Sequence, residues 1–516
     1  MILLFASIRI RLLDCPLERD EGEYAYMGQL MLQGIPPYQL AYNMKLPGTY
    51  AAYAIILALF GQTAAAIHWG LILINSATAV MVYLLGARLS GRMTGVVACA
   101  CFSLLSAGQN VLGISAHATH FVILPALAGI LALLRAEETR RLRLCLISGI
   151  LMGLAFLMKQ PGIFLALFAG GHLVGAELHR RPIDSRGLAA RAGSFAVGAV
   201  APFAGTCLIL SASGVFDTFW FWTVDYARAY GSIVSFSDGL IQFAAIFPKI
   251  AGPAAPIWIL AAVGLTAPLW HPPARSHGCF YAGFAVCSLL AVCPGFYFRP
   301  HYFILLLPAV ALLAGLAVSA ATRHFTAKTA FPEWIPVLCV ILAFGYSVSR
   351  QSRFFFKLDP LSACRESYGL SPFPDSPEIA KYLRDHTGSN ARIAVLGSEP
   401  QIYFYAGRRS ATGFLYMYSL TEQQEYAMRM QREMIGEIEK NRPEYVVFVR
   451  LPYSWGRPPD SDLLIFRWAG QYLMSQYLLE GVVEIFDSAP SEFRWGEAAR
   501  SYAPRSQNTI SILKRN

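Results

Sequence analysis

The chain has 516 residues, of which 55% are hydrophobic and only 14% charged, with a mean hydropathy of +0.44. A soluble domain is roughly one-quarter charged, so this composition excludes an ordinary soluble protein and indicates a polytopic membrane protein. The formal net charge of +10 does not point to nucleic acid, because the basic residues fall in short loops between apolar runs, where membrane proteins collect Lys and Arg on the cytoplasmic side.

Eleven apolar runs, at about 1–13, 64–87, 93–109, 119–135, 144–158, 161–178, 192–212, 253–270, 279–296, 302–321 and 334–350, can be threaded through a bilayer core about 30 Å thick. The first is too short to cross and lacks the cleavage region of a signal peptide. The expectation is a chain start set downstream of the native one, with the run still marking where a first helix leaves the membrane. Alternate loops carry Arg88 and Arg92; Arg135, Arg140, Arg141 and Arg143; Arg180, Arg181, Arg186 and Arg191; Arg275; and Arg323 and Lys328. These loops are read as cytoplasmic. The opposite loops hold only isolated cations, Arg19, Lys45, Lys159, Arg228, Lys249 and Arg299, and are read as outer. An odd number of spans then places the C-terminus outside as well.

The first outer loop, residues 14–63, opens on Arg19-Asp20-Glu21-Gly22-Glu23-Tyr24. Carboxylates beside hydrocarbon are costly and by default suggest function. Asp20 is the candidate base; Glu21 would orient an acceptor hydroxyl or share a divalent cation, Mg²⁺ or Mn²⁺, with it. The competing reading is that both acids cap a helix beginning at Gly22. That helix, to about Gln33, and a second from Leu46-Pro47-Gly48 through Phe60 are apolar enough to lie on the membrane surface. Lys45 reads as a loop ion pair or headgroup contact, with a lesser claim to the site.

Further along, His117 and His120 stand three apart and would share a helix face; core histidines are favoured over ligands. Lys159 occupies an outer turn without a carboxylate nearby in sequence, and a phosphate partner is weighed against snorkelling to the headgroups. Residues 213–250 form an aromatic loop with Trp222 and Tyr226, either shaping an acceptor pocket or forming an interfacial belt, with Gly231–Ser235 as a hinge. Arg299, His301 and Tyr302 lie in an aromatic outer turn, where the guanidinium fork matches phosphate. Eight of the ten cysteines sit within apolar runs as small core residues; Cys15 and Cys364 fall outside, and unpaired thiols are favoured over a disulfide between them.

Residues 351–516 change character. Asp375-Ser376-Pro377-Glu378 opens a helix, Arg392–Leu396 and Tyr445–Val449 read as strands, and the segment is large enough for an α/β core of its own. Gly397-Ser398-Glu399-Pro400 is read as a structural turn.

Asp20-Glu21-Gly22-Glu23-Tyr24, Lys45-Leu46-Pro47-Gly48 with Tyr50, Lys159-Gln160-Pro161-Gly162, and Arg299-Pro300-His301-Tyr302-Phe303 with Pro308 together resemble the C-type (GT-C) integral membrane glycosyltransferases over residues 1–350. The nearest resemblance is to the bacterial group similar to protein O-mannosyltransferases and lipid A aminoarabinose transferases. It implies sugar transfer with inversion from a polyprenyl-phosphate donor to an envelope glycan, lipid or protein acceptor. It also implies residence in the bacterial inner membrane, with the site and the 351–516 domain facing the periplasm. Lys159, Arg299, His301 and Tyr302 would meet the donor phosphate, and Lys45, His117, His120, Trp222 and Tyr226 would line the substrate site. One departure stands out: Thr119 occupies a position where such relatives often carry an acid. The competing classes are a polytopic transporter and a non-catalytic assembly protein for envelope polymers. Polar residues gathered on one face and a large outer domain argue against the transporter.

Overall fold

The protein is described from a computed structural model covering residues 2–180, 182–328, 332, 334–487 and 489–516. Arg181, and the side chain of Lys328, lie outside the described residues. Among the described residues, six helices are long and apolar enough to cross a membrane: Ala64–Ser90, Ala118–Thr139, Gly162–His179, Ser185–Ala212, Phe236–Trp270 and Leu307–Thr326. Shorter apolar helices, Arg92–Ser106, Leu142–Met158 and Trp334–Arg350, pack among them. The chain is a multi-pass membrane protein.

Two expected spans shift. The run read as starting at 253 begins at Phe236, because Ser235 caps that helix and Gly252-Pro253 is accommodated in a short 3-10 turn rather than breaking it. The run read as 302–321 starts at Leu307, since Pro300–Leu305 is 3-10 helix.

The basic loops cluster in the structure. Arg88 pairs with Glu138 at 2.5 Å, Arg191 with Glu177 at 2.5 Å, and Arg323 donates to the Ser90 carbonyl at 3.1 Å. Arg140 joins the same group through Glu177. The arginine-rich loops therefore gather at one end of the bundle, and Asp20, Lys45, Lys159 and Arg299 gather at the other.

Past residue 351 a six-stranded mixed sheet forms from β1 (Arg392–Leu396), β2 (Arg409–Ser410), β3 (Tyr445–Arg450), β4 (Tyr477–Glu484), β5 (Glu492–Trp495) and β6 (Thr509–Arg515). Its order is β2-β1-β3-β6-β4-β5, with β1 parallel to β2 and β3 and the other pairs antiparallel. The hydrophobic strands β1 and β3 are almost wholly buried, as expected of strands covered on both faces.

The first outer loop forms the two expected helices, Arg19–Leu32 and Pro47–Phe60. The first of these does not lie on a membrane surface. Every residue from Glu21 to Leu30 is buried, because the helix is wedged between Pro47–Phe60 and helix Gln401–Ala406 of the sheet domain. Gly22 makes the approach possible: a Cβ there would lie 2.5 Å from the Gln401 backbone nitrogen. Gly22→Ala is expected to destabilise the protein by about 1–3 kcal/mol, as overpacking does. A melting curve indistinguishable from wild type would show that the junction yields.

Candidate active site

The sheet domain closes over the polar end of the bundle and leaves a cavity of about 410 Å³. Three tethers set its floor. Thr49 Oγ1 donates to the Met158 carbonyl at 2.6 Å, and Gln160 Nε2 to the Met44 carbonyl at 2.6 Å, so the turn carrying Lys159 is bound to the loop carrying Lys45. Arg19 Nε donates to the Ser398 carbonyl at 2.7 Å and its guanidinium lies over Tyr418. Ser398 and Glu399, in the turn read as structural, are both buried; Ser398 Oγ donates to Ser454 O and Ser454 Oγ to Glu399 Oε2. That turn is a junction which holds the start of helix Arg19–Leu32.

Adjacent residues on a helix point about 100° apart, and Asp20 and Glu21 part accordingly. Asp20 faces the cavity. Its Oδ1 accepts from Lys45 Nζ at 2.7 Å and Tyr416 OH at 2.8 Å, while Oδ2 lies 3.7 Å from both His117 Nδ1 and His301 Nε2. Burial works against its charge, but Lys45, His117 and His301 together hold the Asp20 carboxyl well below the ordinary range.

Glu21 turns inward and does not line the cavity. It accepts from Ala116 N at 2.6 Å, sits 3.1 Å from His68 Nε2, and completes a capping box with Glu18. The helix thus starts at Arg19 rather than Gly22, with both acids in its first turn as the capping reading expects; Glu21 completes the capping box while Asp20 lines the cavity, so the two do not face a common cation.

Lys45 is the ion-pairing residue the sequence suggested, bridging Asp20 and Glu23 at 2.7 and 2.8 Å, and it lines the cavity as well. Lys159 and Arg299 differ from it. Among the described residues neither has a carboxylate within ion-pair distance. Lys159 Nζ sits 4.1 Å from the centre of the Tyr302 ring, and burial pulls its ammonium down to about 7. The Arg299 guanidinium lies over Tyr297. Two cations without ion-pair partners, Lys159 half-buried and Arg299 exposed, therefore line one cavity.

His117 and His301 stack with ring centroids 4.1 Å apart. His117 precedes helix Ala118–Thr139 rather than lying on it, so the two histidines do not share a face. His120 turns to Asn75, with Nδ1 3.1 Å from Oδ1, and does not line the cavity. Thr119 is fully buried. Asp20, His117 and His301 offer one ligand atom each within 4.8 Å of one another, and both ring nitrogens of His117 are buried without a hydrogen-bond partner. A carboxylate and two imidazoles fit a divalent transition metal better than Mg²⁺.

Trp222 and Tyr226 also line the cavity, carried on a π-helix, Phe221–Tyr226, a form frequent at functional sites. Trp222 stacks on Tyr42 at 6.0 Å. These two residues also belong to the wall of a second, more polar cavity of about 560 Å³ against helix Ala427–Asn441 of the sheet domain.

Sequence reasoning missed Glu18 and the tyrosines of the sheet domain. Glu18 lines the cavity beside His117 and Asp20, and burial with Asp20 pushes its carboxyl up to about 7; its spacing two residues before Asp20 was the available signal. Tyr368, Tyr416 and Tyr418 reach the cavity from beyond residue 351, and no local pattern marks them.

A family model described as dolichyl-phosphate-mannose-protein mannosyltransferase matches residues 45–205. A crystal structure of ArnT from Cupriavidus metallidurans bound to undecaprenyl phosphate superposes with a TM-score of 0.62 at 14% identity, over 99% of this chain and 97% of that one. The archaeal oligosaccharyltransferase AglB from Archaeoglobus fulgidus, in complex with an inhibitory peptide and a dolichol-phosphate, superposes with a TM-score of 0.53 at 12% identity, over 100% of this chain and 76% of that one. The Archaeoglobus fulgidus oligosaccharyltransferase complexed with Zn and sulfate gives 0.51 at 12% identity, over 100% and 75%. No curated protein matches by sequence. The fold is that shared by the ArnT and AglB structures.

Proposed function

We propose that the protein is a glycosyltransferase that moves a sugar from a polyprenyl-phosphate donor to an acceptor hydroxyl. The observation that carries this reading is the pair of cations without ion-pair partners, Lys159 and Arg299, lining one cavity with Asp20 in a GT-C fold. The ligands bound in the structural neighbours, undecaprenyl phosphate and dolichol-phosphate, are anions that such cations suit.

The acceptor oxygen attacks the anomeric carbon, the bond from that carbon to the phosphate oxygen breaks, and the configuration inverts. Lys159 and Arg299 hold the departing phosphate, with the Tyr302 hydroxyl bordering it. Asp20, ionised throughout the working range, orients the acceptor and takes its proton. A divalent cation held by Asp20, His117 and His301 would add positive charge beside the acceptor oxygen. The shared wall at Tyr42 and Trp222 gives the acceptor a polar approach from the second cavity, where aromatic faces suit a sugar ring. The arginine-rich end is read as cytoplasmic, which puts the site on the periplasmic face of a bacterial inner membrane.

A structure with a polyprenyl phosphate analogue tests the assignment; a phosphate far from Lys159 and Arg299 would overturn it. For the cation, elemental analysis of purified protein is expected to find roughly one transition-metal ion per chain, lost in His117→Ala and His301→Ala. Metal-free protein with full activity would remove the cation and leave the Asp20 reading standing.

A further inference from the structure

Two buried thiols take no part in the transfer described above. Cys15 lies just past helix Ile2–Ile10, five residues ahead of Asp20. Cys364 lies in helix Pro360–Tyr368, whose last residue lines the cavity. They are 1% and 0% exposed, and Cys364 Sγ contacts the carbonyl of Pro16, the neighbour of Cys15, at 3.8 Å. The strongest influence on the Cys15 thiol is a hydrogen-bonding contact with the Cys364 thiol, which with burial raises it well above the ordinary range. The thiols are unbonded neighbours in this structure.

The surroundings say what a bond here would do. Arg11 donates to the carbonyls of Phe354, Phe355 and Leu358, Tyr405 OH accepts from Leu17 N at 2.8 Å, and Ser115 Oγ meets Tyr368 OH at 2.7 Å. The segment from Arg11 to Asp20 is thus the seam along which the bundle meets the sheet domain, and the cysteine pair lies in it, 349 residues apart in sequence. Every contact across this seam in the structure is non-covalent. It also lies at the cavity end of the molecule, opposite the arginine-rich loops, and disulfides persist on the oxidising side of a membrane.

We propose that Cys15 and Cys364 form a disulfide that fastens the segment carrying Glu18 and Asp20 to the helix carrying Tyr368. The inference rests on the orientation given under the proposed function. In the reaction each thiol gives up a proton, together they give up two electrons, and one S–S bond forms. The electrons pass to a disulfide oxidant of the outer compartment, which is reduced to a dithiol by exchange. Because burial keeps the folded pair protonated and out of reach, the exchange precedes closure of the seam during folding.

The test uses full-length protein in its own membranes, blocked with N-ethylmaleimide under denaturing conditions and digested without reductant. A linked peptide pair containing Cys15 and Cys364, with the other cysteines alkylated, is expected. Wild type should melt several degrees lower after reduction, whereas Cys15→Ala/Cys364→Ala should melt at one temperature with or without reductant. A reporter fused at the C-terminus separates the two ways of failing. An outer reporter with both thiols alkylated overturns the disulfide alone. A cytoplasmic reporter overturns the orientation and the disulfide with it.

Discussion

Asp20→Asn is expected to lower kcat by about 100- to 10,000-fold, the range general-base catalysis contributes, while the protein stays folded. The amide keeps the shape of the carboxylate and can still meet Tyr416, and Lys45 retains its 2.8 Å pair with Glu23. What is lost is the proton's destination. Glu21→Gln should do the reverse. It weakens a buried hydrogen-bonded carboxylate that joins helix Arg19–Leu32 to Ala116 and His68, so the melting temperature falls and kcat holds within a few-fold. Steady-state kinetics beside thermal unfolding of both variants checks the pair. Comparable kcat losses in both would show that the site needs the acidic pair as a unit. The sign of the pH effect is also fixed. Asp20 is held below the ordinary carboxylate range, so the stability its ion pair gives is present above about pH 4. That stability is lost only as pH falls through the depressed value, and no limb of the kcat profile near neutrality belongs to Asp20.

That two neighbours in sequence divide so sharply shows where reading the chain succeeds. The acids, the outer cations and the aromatic π-helix segment could be found because each violates a local expectation: charge near hydrocarbon, or a cation with no partner. The strands at Arg392 and Tyr445 were legible from β-branched runs. Direction was not legible. Whether Asp20 or Glu21 faces the cavity depends on Ala116 and His68, which meet Glu21 only after folding, and His120 is drawn away by Asn75. The sheet domain's share of the site, Tyr368, Tyr416 and Tyr418, rests on contacts hundreds of residues apart. Its seam depends on glycines, Gly22 against Gln401 and Gly413 against Tyr42, whose need for close approach shows only in three dimensions. The span starting at Phe236 was hidden for another reason: a proline after glycine reads as a break, yet fits the first turn of a helix.

Lys159→Ala and Arg299→Ala should each weaken binding of a polyprenyl phosphate roughly 10- to 150-fold, since hydrogen bonds to charged groups contribute about 1.5–3 kcal/mol. The double variant should lose measurable binding. The pH dependence distinguishes the two cations. The phosphate monoester gains its second charge near pH 6, so affinity should climb to that point. Lys159, pulled down to about 7 by burial, is charged below that value and loses its proton as pH rises through it. Binding the anion draws the proton back, so affinity should fall above pH 7 and binding should take up protons in that range. Arg299 stays charged throughout and contributes no such limb. Lys159→Arg should therefore flatten the alkaline side while keeping the climb to pH 6, and Arg299→Lys should leave the alkaline limb in place. Calorimetry in buffers of different ionisation enthalpy reads both affinity and proton uptake. A wild-type affinity unchanged between pH 7 and 9 would mean that the phosphate does not sit on Lys159, because an anion that needs this lysine charged must bind more weakly as the free lysine loses its proton above 7.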